Sequence, residues 1–284
     1  MTPAGAAGRS ALVTGSTSGI GRALAESLAA AGVTVGIVAR DAARGEAVLA
    51  DIAATTGSAV VGPFVADLSS QTDVRRLATE VSTAFPRLDL LVHCAAVFMS
   101  RRTLTADGLE TMFATNQLAP FLLTNLLRDQ LVAGAPARVV VLTAPSTVKL
   151  DFDDLQGERR FRALTAFGAS KAADLLFTFE LARRLDGTGV TANAVHPGLV
   201  RTSLMRQAPA PLRWGLRLVS APPARAAAAI VPLVLSPDYA GVSGRFFKGS
   251  REIKAPPYTQ DPDVARRLWD VSTTLTRLGE RIAP

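Results

Sequence analysis

Residues 10–32 read SALVTGSTSGIGRALAESLAAAG, and this stretch decides the fold. Its first residues form a short apolar run of the kind a buried strand shows. The run leads straight into Gly15, Gly19 and Gly21 and then into an alanine-rich helical pattern. Glycines at a strand-to-helix turn let the backbone approach a pyrophosphate, and the helix behind them presents unpaired amides and the positive end of its dipole. Three glycines alone are a weak signal; at the first turn of an alternating strand–helix chain they point to a dinucleotide site.

That alternation continues outward from the turn. VTVGIVA, AVVGPFV, LDLLVHCA, RVVVLT and VTANAVHP are apolar, β-branched-rich runs, separated by helical patterns that include TMFATNQLAPFLLTNLL. Strands near-continuous in apolar residues and separated by helices predict a parallel sheet covered on both faces. The expected architecture is α/β: a single-domain, Rossmann-like, doubly wound parallel sheet over residues 1–284. Two excursions interrupt it. The first, 151–161, delays the next helix by about one loop. The second, 205–223, has proline at both ends and Leu212, Trp214, Leu216, Leu218 and Val219 between them; it follows a strand end and reads either as an apolar lid or as an ordinary packed helix.

Composition narrows the function classes. With 48% hydrophobic and 19% charged residues the chain has an ordinary globular composition. Its one cysteine, Cys94, excludes an internal disulfide framework. No apolar run reaches bilayer length, and the opening MTPAGAAGRS lacks a signal-peptide core, so a cytoplasmic protein without a membrane span is expected. The net charge of +7 is spread over pairs such as Arg101-Arg102, Arg159-Arg160 and Arg183-Arg184, the pattern of solvated faces; no nucleic-acid partner is expected. No cluster of His, Cys and carboxylates has metal-ligand spacing.

The second strand ends in Ala39-Arg40 where an acidic residue would grip a ribose 2′-hydroxyl. A guanidinium there suits the 2′-phosphate of NADP(H) over NAD(H), although Asp41 stands next door. A second anomaly lies at 164–177, LTAFGASKAADLLF. Leu164, Phe167, Lys171 and Leu175 recur at helical spacing, so a lysine occupies an apolar stripe that should face the interior. Such a cation needs a partner.

TGSTSGIG, Asp67-Leu68, LLVHCAAVF, TNQLAPFLLTNLL, AFGASKAADLLFTFEL, VHPGLVRTSL and SGRFFKGSREI together resemble the short-chain dehydrogenase/reductase family, in its retinol-dehydrogenase-like and protochlorophyllide-reductase-like branch. The resemblance implies that Gly15, Ser16, Ser18, Gly19 and Ile20 hold the pyrophosphate and adenosine. It implies further that Asp67 and Leu68 hold the adenine, that Ala95 lines the cofactor, and that Pro197, Val200 and Thr202 meet the nicotinamide end. Asn116 would shape a kink and a water chain leading to Lys171, and Lys171 would hydrogen-bond the nicotinamide ribose. A homo-oligomer built on the long outer helices is the family expectation.

The departures from that pattern matter more. The family's YxxxK is Phe167-Gly-Ala-Ser-Lys171 here, so the phenol is absent. The family's serine position falls on Ala144, with Ser146 or Thr147 as substitutes if the loop is shifted, and the usual NNAG is His93-Cys94-Ala95-Ala96. The candidate catalytic set is therefore Asn116, Lys171, Phe167 and Ser146. Losing a positioned acid costs about 100- to 10,000-fold and losing an oxyanion donor ~100-fold or more. Three functions stay open: NADP(H)-dependent hydride transfer to an iminium or conjugated acceptor on a lipophilic molecule; a non-redox cyclisation, isomerisation or elimination in the same pocket; and a non-catalytic NADP sensor. Tyr239, Tyr258, His93 and His196 are the remaining candidates for a proton donor.

Overall fold

Eight strands form one sheet in the computed structural model, which describes residues 6–200 and 221–279 of the chain. They are β1 (Ser10–Thr14), β2 (Thr34–Ala39), β3 (Val60–Val65), β4 (Leu90–His93), β5 (Ala137–Leu142), β6 (Val190–His196), β7 (Phe246–Lys248) and β8 (Arg251–Glu252). Their spatial order is β3-β2-β1-β4-β5-β6-β7-β8. The first seven run parallel, and β8 pairs antiparallel with β7. The chain winds outward from β1 to β3, then returns to β4 on the other side of β1. The resulting switch point lies between β1 and β4, where ligands bind beyond the strands' carboxyl ends in open sheets of this kind.

Each face of the sheet is covered, as the apolar strands require. Helices α1 (Gly19–Ala30), α2 (Ala42–Thr56) and α7 (Pro223–Leu235) bury Leu24, Leu28, Ile52 and Ile230 with Val13, Ile37 and Val195. On the opposite face, α3 (Gln71–Ala84) and the helix over 111–126, here α4, pack Leu77 and Phe121 against Leu12, Leu91 and Val139. The short α5 (Arg128–Ala133) follows α4, and α6 (Ala163–Arg184) adds Phe177 and Leu181 to this second layer. Alternate residues of one strand thus serve two cores. The 151–161 excursion is a loop, and α6 begins two residues after it.

The apolar stripe of α6 is shorter than its spacing predicts. Burial becomes continuous at Ser170; Leu175 is fully enclosed, whereas Leu164 is 59% exposed. Leu164 is a surface residue.

The last helix, α8 (Pro262–Thr276), lies on α6 and α4. Its Trp269 meets the Phe121 ring edge-on at 4.8 Å, stacks on Phe177 at 6.1 Å and lies under the Arg184 guanidinium at 4.3 Å. Among the described residues no helix is long and apolar enough to cross a membrane. Thr202 and residues 205–220 of the expected lid lie outside the described residues.

Candidate active site

The turn after β1 is built for close backbone approach. Gly15 has φ +66°, and a Cβ on it would stand 2.9 Å from the Ala95 backbone. A Cβ on Gly21 would stand 2.4 Å from the Gly15 carbonyl oxygen, so α1 can press against the turn only as glycine. Gly19, at φ +56°, opens the helix. Ser18 is extended at the N-cap and its side chain makes no capping bond, which leaves the first amides of α1 facing outward. Ser16 behaves differently: its buried hydroxyl donates to the Val38 carbonyl at 3.2 Å and accepts from the Val38 N–H at 3.0 Å. That side chain ties the turn to β2, so only its backbone is free for a phosphate. Thr14 Oγ1 accepts from the Cys94 and Ala95 amides at 3.1 and 3.2 Å, holding the β4 exit against the turn. Glycines without room for a Cβ and a helix start without a side-chain cap together fit a dinucleotide pyrophosphate.

At the end of β2, Asp41 caps α2, accepting from the Arg44 N–H at 2.7 Å. Its carboxylate is thus spent on the helix. Arg40 is exposed and its side chain has no partner among the described residues, while Arg44 donates to the Thr17 carbonyl at 3.3 Å. Beyond β3, Asp67 is exposed and accepts from the Ser69 N–H at 2.9 Å, with Leu68 buried beside it. Pro197 follows β6, and Val200 bridges to Ala221.

Asn116 lies in a π-helical turn, Ala114–Leu118, that interrupts α4; the Ala119 N–H reaches back to the Ala114 carbonyl. One extra residue in the turn bulges the helix toward β4. The Asn116 amide accepts from the Val97 N–H at 2.8 Å and donates to the Val97 carbonyl at 3.1 Å and to Ser170 Oγ at 3.0 Å. Asn116 thereby joins the β4 exit to α6 one residue before Lys171.

Lys171 is buried, as its place in the stripe predicts, and its ammonium donates to Asp174 Oδ2 at 2.8 Å. Asp174 is the residue that sequence reasoning missed. It stands three positions along the same helix, a spacing at which helical side chains meet, so a search for the cation's partner within α6 would have found it. Burial pushes its carboxyl up to about 6, against the opposing pull of Lys171 and Thr143. Asp174 Oδ1 is buried without a hydrogen-bond partner among the described residues.

Phe167 sits one turn before Lys171, its ring 5.7 Å from the ammonium. It packs edge-on against Phe98 at 5.6 Å, in an apolar cluster with Met99, Met112, Phe161 and Ala166. Ser146 is buried; its Oγ accepts from the Val148 N–H at 3.3 Å and faces Gly168, next to Phe167. Thr143 donates to the Lys171 carbonyl at 3.0 Å, and the half-buried Ala144 follows it.

The alternative proton donors lie in other surroundings. Tyr258 OH accepts from the Leu150 N–H at 3.0 Å, and Tyr239 OH donates to the Ser250 carbonyl at 2.7 Å. His93 is hydrogen-bonded to Thr124 at 2.8 Å, and full burial pushes it down to about 3, so its ring is neutral. Burial also lowers His196 and raises the Cys94 thiol. No group of three or more potential metal ligands exists among the described residues.

A glycine turn beneath the switch point of a doubly wound sheet defines a nucleotide-binding α/β protein. Residues 9–212 match the model of the short chain dehydrogenase family. Retinol dehydrogenase 14 of Mus musculus is 40% identical, covering 94% of this chain and 86% of its own length, and retinol dehydrogenase 13 of Homo sapiens is 37% identical, covering 95% and 85%. A short chain dehydrogenase from Burkholderia cenocepacia, solved in complex with NADP, superposes with a TM-score of 0.69 at 30% identity, covering 85% of this chain and 96% of its own. An uncharacterised protein from Mycobacterium paratuberculosis gives a TM-score of 0.75 at 30% identity, covering 95% and 94%. The chain belongs to the short-chain dehydrogenase/reductase family, in its retinol-dehydrogenase-like branch, an oxidoreductase family that binds nicotinamide cofactors.

Proposed function

We infer that the protein is an NADP(H)-dependent oxidoreductase acting on a lipophilic small molecule, with hydride transfer that does not use a phenolic acid. The observation that carries this reading is a fitted dinucleotide turn beside an apolar wall, with an intact, buried Lys171 and no phenol at position 167. The bound cofactor would supply or accept the hydride. Gly15, Gly19, Ile20 and the backbone at Ser16 and Ser18 hold its pyrophosphate, Asp67, Leu68 and Ala95 border its adenosine half, and Arg40 meets its 2′-phosphate. Lys171, Pro197, Val200 and Thr202 serve the nicotinamide end. The solved NADP complex of a relative and the unpartnered Arg40 support NADP(H) over NAD(H).

Phe98, Met99, Phe161 and Phe167 exclude water from one side of the substrate and favour a conjugated or polycyclic acceptor. Hydride transfer to an iminium leaves no alkoxide to protonate, and a conjugated acceptor can take its proton away from the hydride site. Both substrate types tolerate Phe167 and Ala144. The same replacements favour a second reading, non-redox cyclisation, isomerisation or elimination in this pocket. The two separate in one experiment: NADPH deuterated at the transferable position is incubated with the protein and a panel of conjugated aldehydes, including retinaldehyde, and cyclic iminium ions. Deuterium in the product supports hydride transfer. Turnover without label from any member overturns it in favour of the non-redox reading.

A further inference from the structure

Lys171 and Asp174 form a buried ion pair. The side chains are 7% and 1% exposed, and the Nζ–Oδ2 separation is 2.8 Å. On the same helix, Ser170 anchors Asn116 and the Lys171 carbonyl receives the Thr143 hydroxyl. The backbone of this turn is therefore held by α4 and β5, and the one long side chain in it is held by Asp174 alone.

We propose that Asp174 is the positioning residue of the site: its carboxylate fixes the Lys171 ammonium in the orientation from which it serves the nicotinamide end of the cofactor. In a site with a phenol beside the lysine, that hydroxyl would restrain the ammonium from the pocket side. Among the described residues the pocket side offers the Phe167 ring at 5.7 Å, a contact with little directional preference. A charge-assisted hydrogen bond is directional, and it removes most of the rotamer freedom that a lysine otherwise loses on binding. Because the unpartnered Oδ1 leaves the carboxylate one donor short, Lys171 is its dominant restraint in return.

The groups that face this pair are few. Thr143, just past the end of β5, faces Asp174, and His196 at the end of β6 lies against Thr143, kept toward its neutral form by burial, with Lys248 of β7 beyond it. The π-helical turn carries no ionisable side chain, and neither do the buried positions of α8. His93 on β4 is occupied by Thr124. Among the described residues Asp174 is therefore the group around Lys171 that changes charge at mildly acidic pH, consistent with its carboxyl being pushed up to about 6.

This inference rests on the NADP(H) reading, and one titration tests the two separately. NADPH dissociation constants are measured by nucleotide fluorescence from pH 5 to 7.5 for the wild type and Asp174→Asn, and their ratio removes the titration of the cofactor's own phosphate. Asp174→Asn is expected to bind about tenfold more weakly at pH 7.5, the scale of one misaligned charge-assisted hydrogen bond. The ratio should fall to about two at pH 5, where wild-type Asp174 is mostly protonated and resembles asparagine. In a Lys171→Met background the substitution should make no difference, because Asp174 acts only through the lysine. A role in folding alone would lower the unfolding midpoint and leave the ratio flat with pH; a flat ratio, or a ratio of one throughout, overturns the proposal and spares the cofactor reading. A wild-type protein that binds no NADPH overturns both. If Asp174→Asn does not fold, Asp174→Ser makes the same comparison.

Discussion

Acidification should stabilise the part of the fold that contains Asp174, although acid weakens most proteins. Burial raises this carboxyl from its ordinary 3.8 to about 6, more than Lys171 lowers it. A carboxyl that is harder to ionise when folded makes the unfolded state bind fewer protons than the folded state between those values. Stability therefore falls as pH rises through the window. The part of this penalty that is recovered between pH 7.5 and 5 is on the order of 1 kcal/mol. His93 works in the opposite direction. Held neutral with its ionisation pushed down to about 3, it costs about 2 kcal/mol over the same interval, because only the unfolded state takes up the proton. The wild-type curve alone would hide the effect, so the measurement is a difference. Urea unfolding of the wild type and Asp174→Asn at pH 7.5 and 5, followed by tryptophan fluorescence, should show the wild type gaining on the order of 1 kcal/mol on the variant at the lower pH. A difference that is constant with pH would refute the reasoning. One of opposite sign would mean that the attraction of Lys171 outweighs desolvation in the buried pair.

Two further outcomes test the site itself. Arg40→Ala should weaken NADPH binding about tenfold while leaving NADH unchanged, since an exposed guanidinium contributes only through the 2′-phosphate; equal effects on both nucleotides in a fluorescence titration would remove that role. Phe167→Tyr restores a phenol one turn from Lys171, and combined with Ala144→Ser it should raise reduction of a simple ketone by about 100-fold or more. A double variant with no ketone reductase activity in a steady-state NADPH assay would show that the pocket has lost its carbonyl geometry more deeply than at these two positions.

Local pattern made much of this molecule legible. The apolar strand runs, the glycines after β1 and the substitutions at Phe167 and Ala144 are properties of short segments, because a strand, a tight turn and a missing functional group need only neighbouring residues to define them. Lys171 stood out for the same reason, and the spacing to Asp174 was available beside it. What the segments did not carry was long-range competition for polar groups and surface. Asp41 could have served a ribose until the start of α2 claimed it, and Ser16 a phosphate until Val38 did. The contact of Trp269, far along the chain, with Phe121 and Phe177 likewise had no signal in any one segment. Each of these choices depends on which distant group arrives within hydrogen-bond or van der Waals reach once the sheet has formed, and only the folded arrangement brings those groups together.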